Sequence, residues 1–157
     1  HLRREGRPAP RHCGRKAVKH GKMGKTVLTF GVYDMLHIGH ILLFKRAKAL
    51  GDRLIVAVQD GEYIQKYKPG TQMVYSTEER LFMVSTIRYV DEVIVYRDVD
   101  RDIVSVDFDI FARGEDQVHQ GFRRAVAWCK AHGKEVVELS RTEGISSTML
   151  REYSKTR

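Results

Sequence analysis

Residues 27–40 read Val-Leu-Thr-Phe-Gly-Val-Tyr-Asp-Met-Leu-His-Ile-Gly-His. The apolar start of this segment is typical of a buried strand, and the His-x-Gly-His at its end is typical of a turn that enters a helix. The first backbone N–H groups of a helix have no partner within it, and they bind anions readily. With two imidazoles added at the same place, the junction predicts a site for the phosphates of a nucleotide.

The rest of the chain alternates between apolar, strand-like segments and helical patterns. The predicted strands are 26–30, 53–58, 91–95, 108–112 and 135–139. The predicted helices are 39–50, 77–88 with a capping box of Ser76 and Glu79, a short one within 98–106, 117–132 and 146–153. Such alternation favours α/β architecture, namely a single Rossmann-like domain with a five-stranded parallel sheet and helices on both faces.

Three segments interrupt this alternation, and each of them follows a predicted strand: 31–40, 59–74 and 113–120. The second is polar and contains Pro69-Gly70, so we predict a loop with at most a short helical turn. A loop of this length in a compact domain usually has a function. Because ligands of a parallel α/β sheet bind at the carboxyl ends of its strands, we expect the three segments to form one shared site.

The net charge of +8 raises the alternative of a nucleic-acid-binding protein. Residues 1–22 hold eight Lys and Arg against Glu5 alone, so they carry +7 and leave +1 for 23–157. The excess charge therefore belongs to a Pro-, Gly- and Arg-rich tail. We expect residues 1–24 to be a disordered tag or extended start, and 25–157 to form the domain. A nucleic-acid partner is not expected.

Membrane and secretion signals are lacking in the sequence. No apolar segment reaches the roughly 20 residues of a membrane span, and no charged start precedes an apolar segment. Cys13 and Cys129 match neither a metal-site spacing nor a disulfide framework. We therefore expect a cytoplasmic protein without membrane insertion.

His37 and His40 are the first candidates for chemistry. They are three residues apart across a helix start, so both side chains can converge on one ligand. Gly39 between them has no Cβ and lets the backbone approach a phosphate closely. From these residues alone, two alternatives stay open: ordinary surface histidines, or part of a zinc site, although no further Cys or His stands at a ligand spacing.

A second signal lies at 141–148, Arg-Thr-Glu-Gly-Ile-Ser-Ser-Thr, between the last predicted strand and the last predicted helix. Gly144 permits a tight turn, the hydroxyls of 146–148 lie at a helix start, and Arg141 offers a guanidinium fork for phosphate oxygens. A capped helix with an exposed arginine would explain the segment if it stood alone.

Together the two signals resemble the HIGH-motif nucleotidyltransferase superfamily. Residues 141–148 resemble the RTEGISTT signature of its cytidylyltransferases, with Ser147 in place of a threonine. Over 26–153 the chain resembles the glycerol-3-phosphate cytidylyltransferases, which make CDP-glycerol for bacterial teichoic acids and capsules, and this resemblance includes 46–52, 79–80 and 86–93. It implies transfer of CMP from CTP to a phosphorylated alcohol, with Mg²⁺ as cofactor, by a homodimer.

The resemblance also implies roles for individual residues. Those expected to carry catalysis are His37, His40, Lys66, Lys68 and Arg141, with a solvated loop as the alternative for the two lysines. Those expected to bind the nucleotide are Phe30, Gly31, Val32, Tyr33, Gly39, Gly114, Thr142, Gly144, Ile145, Ser146 and Thr148. Those expected at the acceptor are Asp34, Lys66, Arg80, Arg88 and Asp116, with surface ion pairing as the alternative for the two arginines and Mg²⁺ binding as the alternative for the two aspartates.

Two positions depart from the family pattern. Ile38 stands inside His-x-Gly-His, and Gln117 follows the Gly-Glu-Asp turn at 114–116, where the family commonly has tryptophans. Gln117 lies where substrate contacts are expected, so phosphocholine, phosphoethanolamine or a polyol phosphate stays open as the acceptor. An adenylyltransferase of the same fold, such as an FAD synthetase, is a further alternative, against which the cytidine signature speaks.

Overall fold

A computed structural model describes residues 24–140 of the protein. The strands in this part are β1 (Thr26–Gly31), β2 (Arg53–Gln59), β3 (Glu92–Tyr96), β4 (Ile110–Gly114) and β5 (Glu135–Leu139). The helices are α1 (Ile38–Ala49), α2 (Gly61–Tyr67), α3 (Thr77–Ser85), α4 (Val99–Asp102), a 3₁₀ turn at Ile103–Ser105, and α5 (Gln120–Ala131). None of these helices has the length and apolar character needed to cross a membrane. The predicted tail at 1–24, except Gly24, and the predicted helix 146–153 lie outside the described residues.

The described strands form one parallel sheet in the order β3-β2-β1-β4-β5. β1 lies at the centre because it is apolar on both faces, and Thr26–Phe30 are each at most 1% exposed. From β1 the chain builds outward through β2 to β3, and then returns to the other side of β1 as β4. The order of the strands therefore reverses between β1 and β4, which is where ligands of such sheets bind.

Helices cover both faces of the sheet, as the alternating pattern predicts. On one face α4, the 3₁₀ turn and α5 pack over a core that includes Leu28, Phe30, Ile103, Phe111, Phe122 and Cys129. On the other face α1 and α3 pack over a core that includes Val27, Phe44, Val56, Val84 and Ala112. The prediction of a single α/β domain with a five-stranded parallel sheet is confirmed.

The main difference from the predicted elements is α2, which occupies seven residues of the segment predicted to be a loop. Asp60 caps this helix, because its carboxylate accepts a hydrogen bond from Glu62 N at 3.2 Å. Ile64 anchors the helix, since it is 4% exposed among polar neighbours. A single buried side chain in seven residues leaves no apolar periodicity, which is why the sequence pattern did not indicate a helix.

The helix ends also differ in detail from the predictions. The capping box of α3 is present, since Ser76 Oγ accepts from Glu79 N at 3.1 Å and Glu79 Oε1 accepts from Ser76 N at 3.0 Å. α5 begins at Gln120, three residues after the predicted start, because Gln117 N donates to Gly114 O in a turn and His119 caps the helix. α3 ends at Ser85 instead of Arg88.

Candidate active site

The two histidines of the His-x-Gly-His segment form the start of α1. His37 is the N-cap residue, and its Nδ1 accepts a hydrogen bond from Gly39 N at 3.0 Å. His40 Nδ1 accepts in turn from His37 N at 3.1 Å, so the two side chains make a reciprocal capping box. The ring centroids lie 3.9 Å apart. Histidine is not a common helix-capping residue. Here two histidine side chains accept hydrogen bonds from backbone N–H groups at the start of α1, and they lie side by side.

This arrangement sets the proton positions on both rings. A nitrogen that accepts a hydrogen bond carries no proton, so the neutral form of each imidazole holds its proton on Nε2. Burial, with a smaller contribution from His37, lowers the pKa of His40 to about 4, and Asp116 opposes this shift. His40 is therefore neutral at pH 7 and presents an N–H donor, without the positive charge of an imidazolium.

Tyr33 forms the wall beside these histidines. Its ring lies edge-on to His40 at 5.4 Å and to Phe44 at 5.1 Å, and the residue is 6% exposed. Its backbone has a φ of 57°, which is uncommon for a residue with a side chain. That turn folds the ring back over Gly31, where an added Cβ would lie 2.4 Å from Tyr33 Cζ. A side chain at position 31 would collide with the Tyr33 ring, so a glycine is needed there.

The end of β4 supplies the opposite wall. Gly114 N donates to Gln117 Oε1 at 3.0 Å, and Gln117 Nε2 donates to Phe30 O at 2.7 Å. Asp116 Oδ1 lies 2.9 Å from the position that a Cβ on Gly114 would take, so a larger residue there would displace the Asp116 carboxylate. Asp116 is exposed at the mouth of the site, and its charge reaches His40.

A pocket lies between these two walls, at the carboxyl ends of β1 and β4. It brings together five predicted site residues, Tyr33, His37, Gly39, His40 and Gly114, with the predicted acceptor residue Asp116. It also contains Gln117, which the sequence placed near the substrate, and residues that the sequence did not assign to the site: Leu43, Arg46, Glu115, Leu139 and Ser140. Leu43 and Arg46 follow Gly39 at helical spacing, which is the signal that could have found them.

Arg46 links α1 to the end of β5. Its guanidinium donates to Ser140 O at 2.9 Å and to Ser140 Oγ at 3.4 Å. Ser140 directly precedes the predicted phosphate-binding segment at 141–148. The chain therefore enters that segment at the rim of the pocket that holds both histidines.

Comparisons with known proteins agree with this geometry. A family model described as cytidylyltransferase-like matches residues 28–153. The chain belongs to the cytidylyltransferase-like family. The glycerol-3-phosphate cytidylyltransferase of Bacillus subtilis (strain 168) is 42% identical to it over 132 residues, covering 82% of this chain and 95% of the relative. That of Staphylococcus aureus (strain NCTC 8325 / PS 47) is 40% identical, covering 82% and 93%.

A solved structure supports the same assignment of fold. The lipopolysaccharide core biosynthesis protein from Thermoplasma volcanium GSS1 superposes with a TM-score of 0.65 at 28% identity. The match covers 76% of this chain and 98% of that chain. The likeness supports the α/β fold over 76% of this chain.

Arg80 was predicted for the acceptor or for a surface ion pair, and both predictions are wrong. In this cytidylyltransferase-like protein it is fully buried at 0% exposure. Its guanidinium donates to Gln59 O at 2.7 Å, Val32 O at 3.0 Å and Tyr75 O at 3.3 Å. Burial lowers its pKa, while Asp34 and Asp60 oppose that shift. Arg80 therefore joins the ends of β1 and β2 to the segment before α3.

Asp34 has a similar joining role in the structure. Its two carboxylate oxygens accept from Val74 N and Tyr75 N, each at 2.9 Å. Both oxygens are thereby directed at the segment between α2 and α3, and Asp34 is not among the residues that line the pocket with the histidines. Its predicted contact with the acceptor or with Mg²⁺ stays a prediction.

The remaining predicted residues are less close to the pocket. Lys66 and Lys68 are exposed at the end of α2, where Lys68 Nζ lies 5.8 Å from the centroid of the Tyr67 ring. Lys68 also contributes, after burial, to a lowered pKa of His119, the N-cap of α5. The described structure does not place either lysine at the histidines, so their catalytic role stays a prediction.

Arg88 does not belong to this pocket in the single chain. It is exposed and lies between α3 and β3, next to Asp91, whose backbone N donates to Leu54 O near the start of β2. That is the amino-terminal edge of the sheet, opposite to the histidines. α3 carries the chain from one edge of the sheet to the other, so Arg88 does not line the pocket in one chain, and its predicted contact with the acceptor stays a prediction.

Two residues predicted to bind the nucleotide, Phe30 and Val32, do not line the pocket. The Phe30 side chain is 1% exposed in the core, and the Phe30 carbonyl is bonded to Gln117. The Val32 carbonyl is bonded to Arg80. The residues of the segment 141–148 that were predicted for the site lie outside the described part of the chain: Arg141, Thr142, Gly144, Ile145, Ser146 and Thr148.

Proposed function

We propose that this protein transfers CMP from CTP to a phosphorylated alcohol, with glycerol 3-phosphate as the first acceptor to test, and releases pyrophosphate. The observation that carries the proposal is the reciprocal cap of His37 and His40. Because both Nδ1 atoms accept from backbone N–H groups, each neutral ring carries its proton on Nε2, and both histidines line one wall of the pocket. Paired, preorganised donors suit the charge that develops on a phosphoryl group under attack.

The reaction follows from this placement. An oxygen of the acceptor's phosphate monoester attacks the α-phosphorus of CTP in line with the bond to the β-phosphate. A new P–O bond forms, the bond from the α-phosphorus to the bridging oxygen breaks, and pyrophosphate leaves with its electron pair. No side chain becomes covalently attached. The protein contributes position and charge stabilisation, from His37, His40 and, as we propose, Arg141.

We propose that Mg²⁺ accompanies CTP, since Mg²⁺ commonly binds through substrate phosphates and one or two carboxylates. Among residues 24–140 there is no cluster of three or more His, Cys, Asp or Glu that could hold a metal ion. Glu115 and Asp116 line the pocket, and they would supply the one or two carboxylates that Mg²⁺ needs when the substrate phosphates provide other ligands. The ion would neutralise negative charge on the triphosphate.

Glycerol 3-phosphate is favoured as the acceptor by the two relatives that are about 40% identical to the chain over most of both lengths. Gln117 replaces a tryptophan of the family pattern, which supports testing other acceptors beside it. Pyrophosphate release should be measured with CTP against glycerol 3-phosphate, phosphocholine, phosphoethanolamine and ribitol 5-phosphate. Release with glycerol 3-phosphate alone supports the proposal, and release only with another acceptor replaces it.

The nucleotide can be tested separately from the acceptor. The alternative of an adenylyltransferase predicts stabilisation by ATP. Thermal unfolding of the protein with Mg²⁺ and either CTP or ATP at equal concentrations should show a higher Tm with CTP. A higher Tm with ATP alone would replace CTP by ATP in the proposal.

We propose further that the protein acts as a homodimer in the cytoplasm, where CTP is available. An apolar surface on and before α3 supports the dimer, since Val74, Tyr75 and Phe82 are 57%, 37% and 71% exposed. Light scattering after size-exclusion chromatography should give twice the monomer mass for the wild type. Phe82→Lys should give the monomer mass if this surface is the interface.

A further inference from the structure

β1 and β4 separate before they end. Their register pairs Val27 with Ile110 and Leu28 with Phe111, and no pair follows, although both strands continue to Gly31 and Gly114. On the other side of β1, the ladder with β2 runs over all six residues of β1, from Thr26 to Gly31. The sheet therefore opens at one place only within the described residues, between the carboxyl ends of β1 and β4.

The amide of Gln117 fills this opening. Continued by two residues, the register would set Phe30 against Arg113. In a parallel ladder, Phe30 O would then accept from the next donor along β4, Gly114 N. Instead Gly114 N donates to Gln117 Oε1 at 3.0 Å, and Gln117 Nε2 donates to Phe30 O at 2.7 Å. One side-chain amide is thus inserted into the rung that would otherwise close the sheet.

The position of Gln117 is itself fixed. Its carbonyl accepts from Arg113 Nη1 at 2.9 Å, and its backbone N donates to Gly114 O at 3.1 Å. The Arg113 guanidinium also pairs with Glu138 on β5 at 2.9 Å, which ties the turn to the neighbouring strand. The side chain therefore spans the two strands from a turn that is held at both ends.

A side-chain amide is suited to this bridge. It offers an acceptor to Gly114 N and a donor to Phe30 O at once. An indole has a donor and no acceptor, so the tryptophan of the family pattern could bond to Phe30 O but would leave Gly114 N without this partner. A carboxylate would accept from Gly114 N, but it would face the Phe30 carbonyl with a second oxygen.

We propose that Gln117 is a positioning residue that sets the separation of β1 from β4 and thereby the width of the nucleotide pocket. It holds Gly114 and Asp116 on one wall at a fixed distance from His37 and His40 on the other. Without this bridge, the ends of β1 and β4 are free to form the missing backbone hydrogen bond from Gly114 N to Phe30 O, or to move apart. This inference rests on the proposed function, because it assigns the pocket to CTP.

The test compares Gln117→Leu and Gln117→Glu with the wild type, and uses Val118→Ala as a matched control. Val118 is the next residue, is 51% exposed, and does not line the pocket. Titration calorimetry with CTP and Mg²⁺ measures nucleotide affinity, and steady-state kinetics measures KM for CTP and for glycerol 3-phosphate. Amide hydrogen exchange at Gly114, followed by NMR, reports on the bridge itself in the absence of any substrate.

We expect both Gln117 variants to bind CTP about tenfold more weakly, since each loses at least one well-formed hydrogen bond that orders the pocket. KM for the acceptor should change less than KM for CTP, the Tm should fall by roughly a few degrees at most, and Gly114 should exchange faster in Gln117→Leu. Val118→Ala should match the wild type in every measurement.

Three other results are informative. If Gln117→Leu binds CTP as tightly as the wild type, the positioning role is wrong, regardless of which reaction the enzyme catalyses. If KM for CTP and for the acceptor rise together with a large fall in Tm, Gln117 has only a general structural role, which also overturns the inference. If the wild type itself does not bind CTP, the proposed function fails, and faster exchange at Gly114 in Gln117→Leu would still support the bridge.

Discussion

Replacement of Arg80 by methionine tests whether a buried cation holds the frame of the pocket together. Methionine is flexible, apolar and long enough to occupy the channel of the arginine side chain. The matched control is Arg88→Met, on the segment after the same helix, because Arg88 is exposed. Arg80→Lys retains the charge but replaces a planar fork of donors by a single ammonium group.

The expected loss follows from the partners that the arginine leaves behind. The carbonyl oxygens of Val32, Gln59 and Tyr75 accept from Arg80 at 3.0, 2.7 and 3.3 Å. A buried acceptor without a partner costs about 1–3 kcal/mol, and three around one group do not add in full. Removing the buried cation offsets part of this, because burial itself lowers the Arg80 pKa. We expect the free energy of unfolding to fall by about 3–5 kcal/mol.

Urea unfolding followed by circular dichroism measures this change. The free energy of unfolding of Arg88→Met should lie within about 0.5 kcal/mol of the wild-type value. That of Arg80→Lys should lie between the values of the two methionine variants. A fall of 3–5 kcal/mol would lower the Tm by roughly 10 °C or more. If Arg80→Met stays within about 1 kcal/mol of the wild type, or if Arg88→Met loses as much, then the carbonyl contacts do not hold these segments together.

Three further predictions concern the walls of the pocket. His37→Ala and His40→Ala should each lower kcat/KM by roughly 10²–10³ while circular dichroism shows an intact fold, and unchanged kinetics in both would remove the proposed mechanism. The pKa of His40 is about 4 when folded and about 6.5 when unfolded, so the unfolded state binds the extra proton between these values. Stability should therefore fall as the pH is lowered from about 6.5 to about 4, less so in His40→Ala, and an equal slope in urea titrations across that range would contradict the burial of the ring. Gly31→Ala should lower stability by about 1–3 kcal/mol, because the new Cβ would lie 2.4 Å from Tyr33 Cζ. A double-mutant cycle with Tyr33→Leu should show a coupling above about 1 kcal/mol, whereas additive effects would mean that the two residues do not collide.

Local rules were enough to predict much of this fold. Ser76 and Glu79 form the predicted capping box because both partners lie within one turn of chain. The strands were predictable because apolar segments such as Leu54–Val58, each at most 4% exposed, are buried on both faces. The convergence of 31–40 and 113–120 on one pocket followed from parallel topology, since both segments leave the same edge of the sheet, but the third predicted segment, 59–74, does not line that pocket.

Contacts between distant segments could not be predicted in the same way. The partners of Arg80 lie 48, 21 and 5 residues away, so no pattern along α3 distinguishes it from a surface arginine. The Gln117 amide bonds to a carbonyl 87 residues away. Such positions are set by where strands and turns meet in space, and only the assembled sheet shows them.

The double use of each histidine has an evolutionary consequence. In His37 and His40 the Nδ1 atom accepts from a backbone N–H group at the start of α1, and both residues line the pocket. Asparagine carries an acceptor suited to capping the helix, but its shorter side chain has no donor that reaches as far as the Nε2–H group of an imidazole. The codons of the two amino acids differ by one nucleotide. On the proposed function, a single base change in either histidine codon would therefore give a protein that folds normally and has lost the reaction, and selection for stability alone would not remove it.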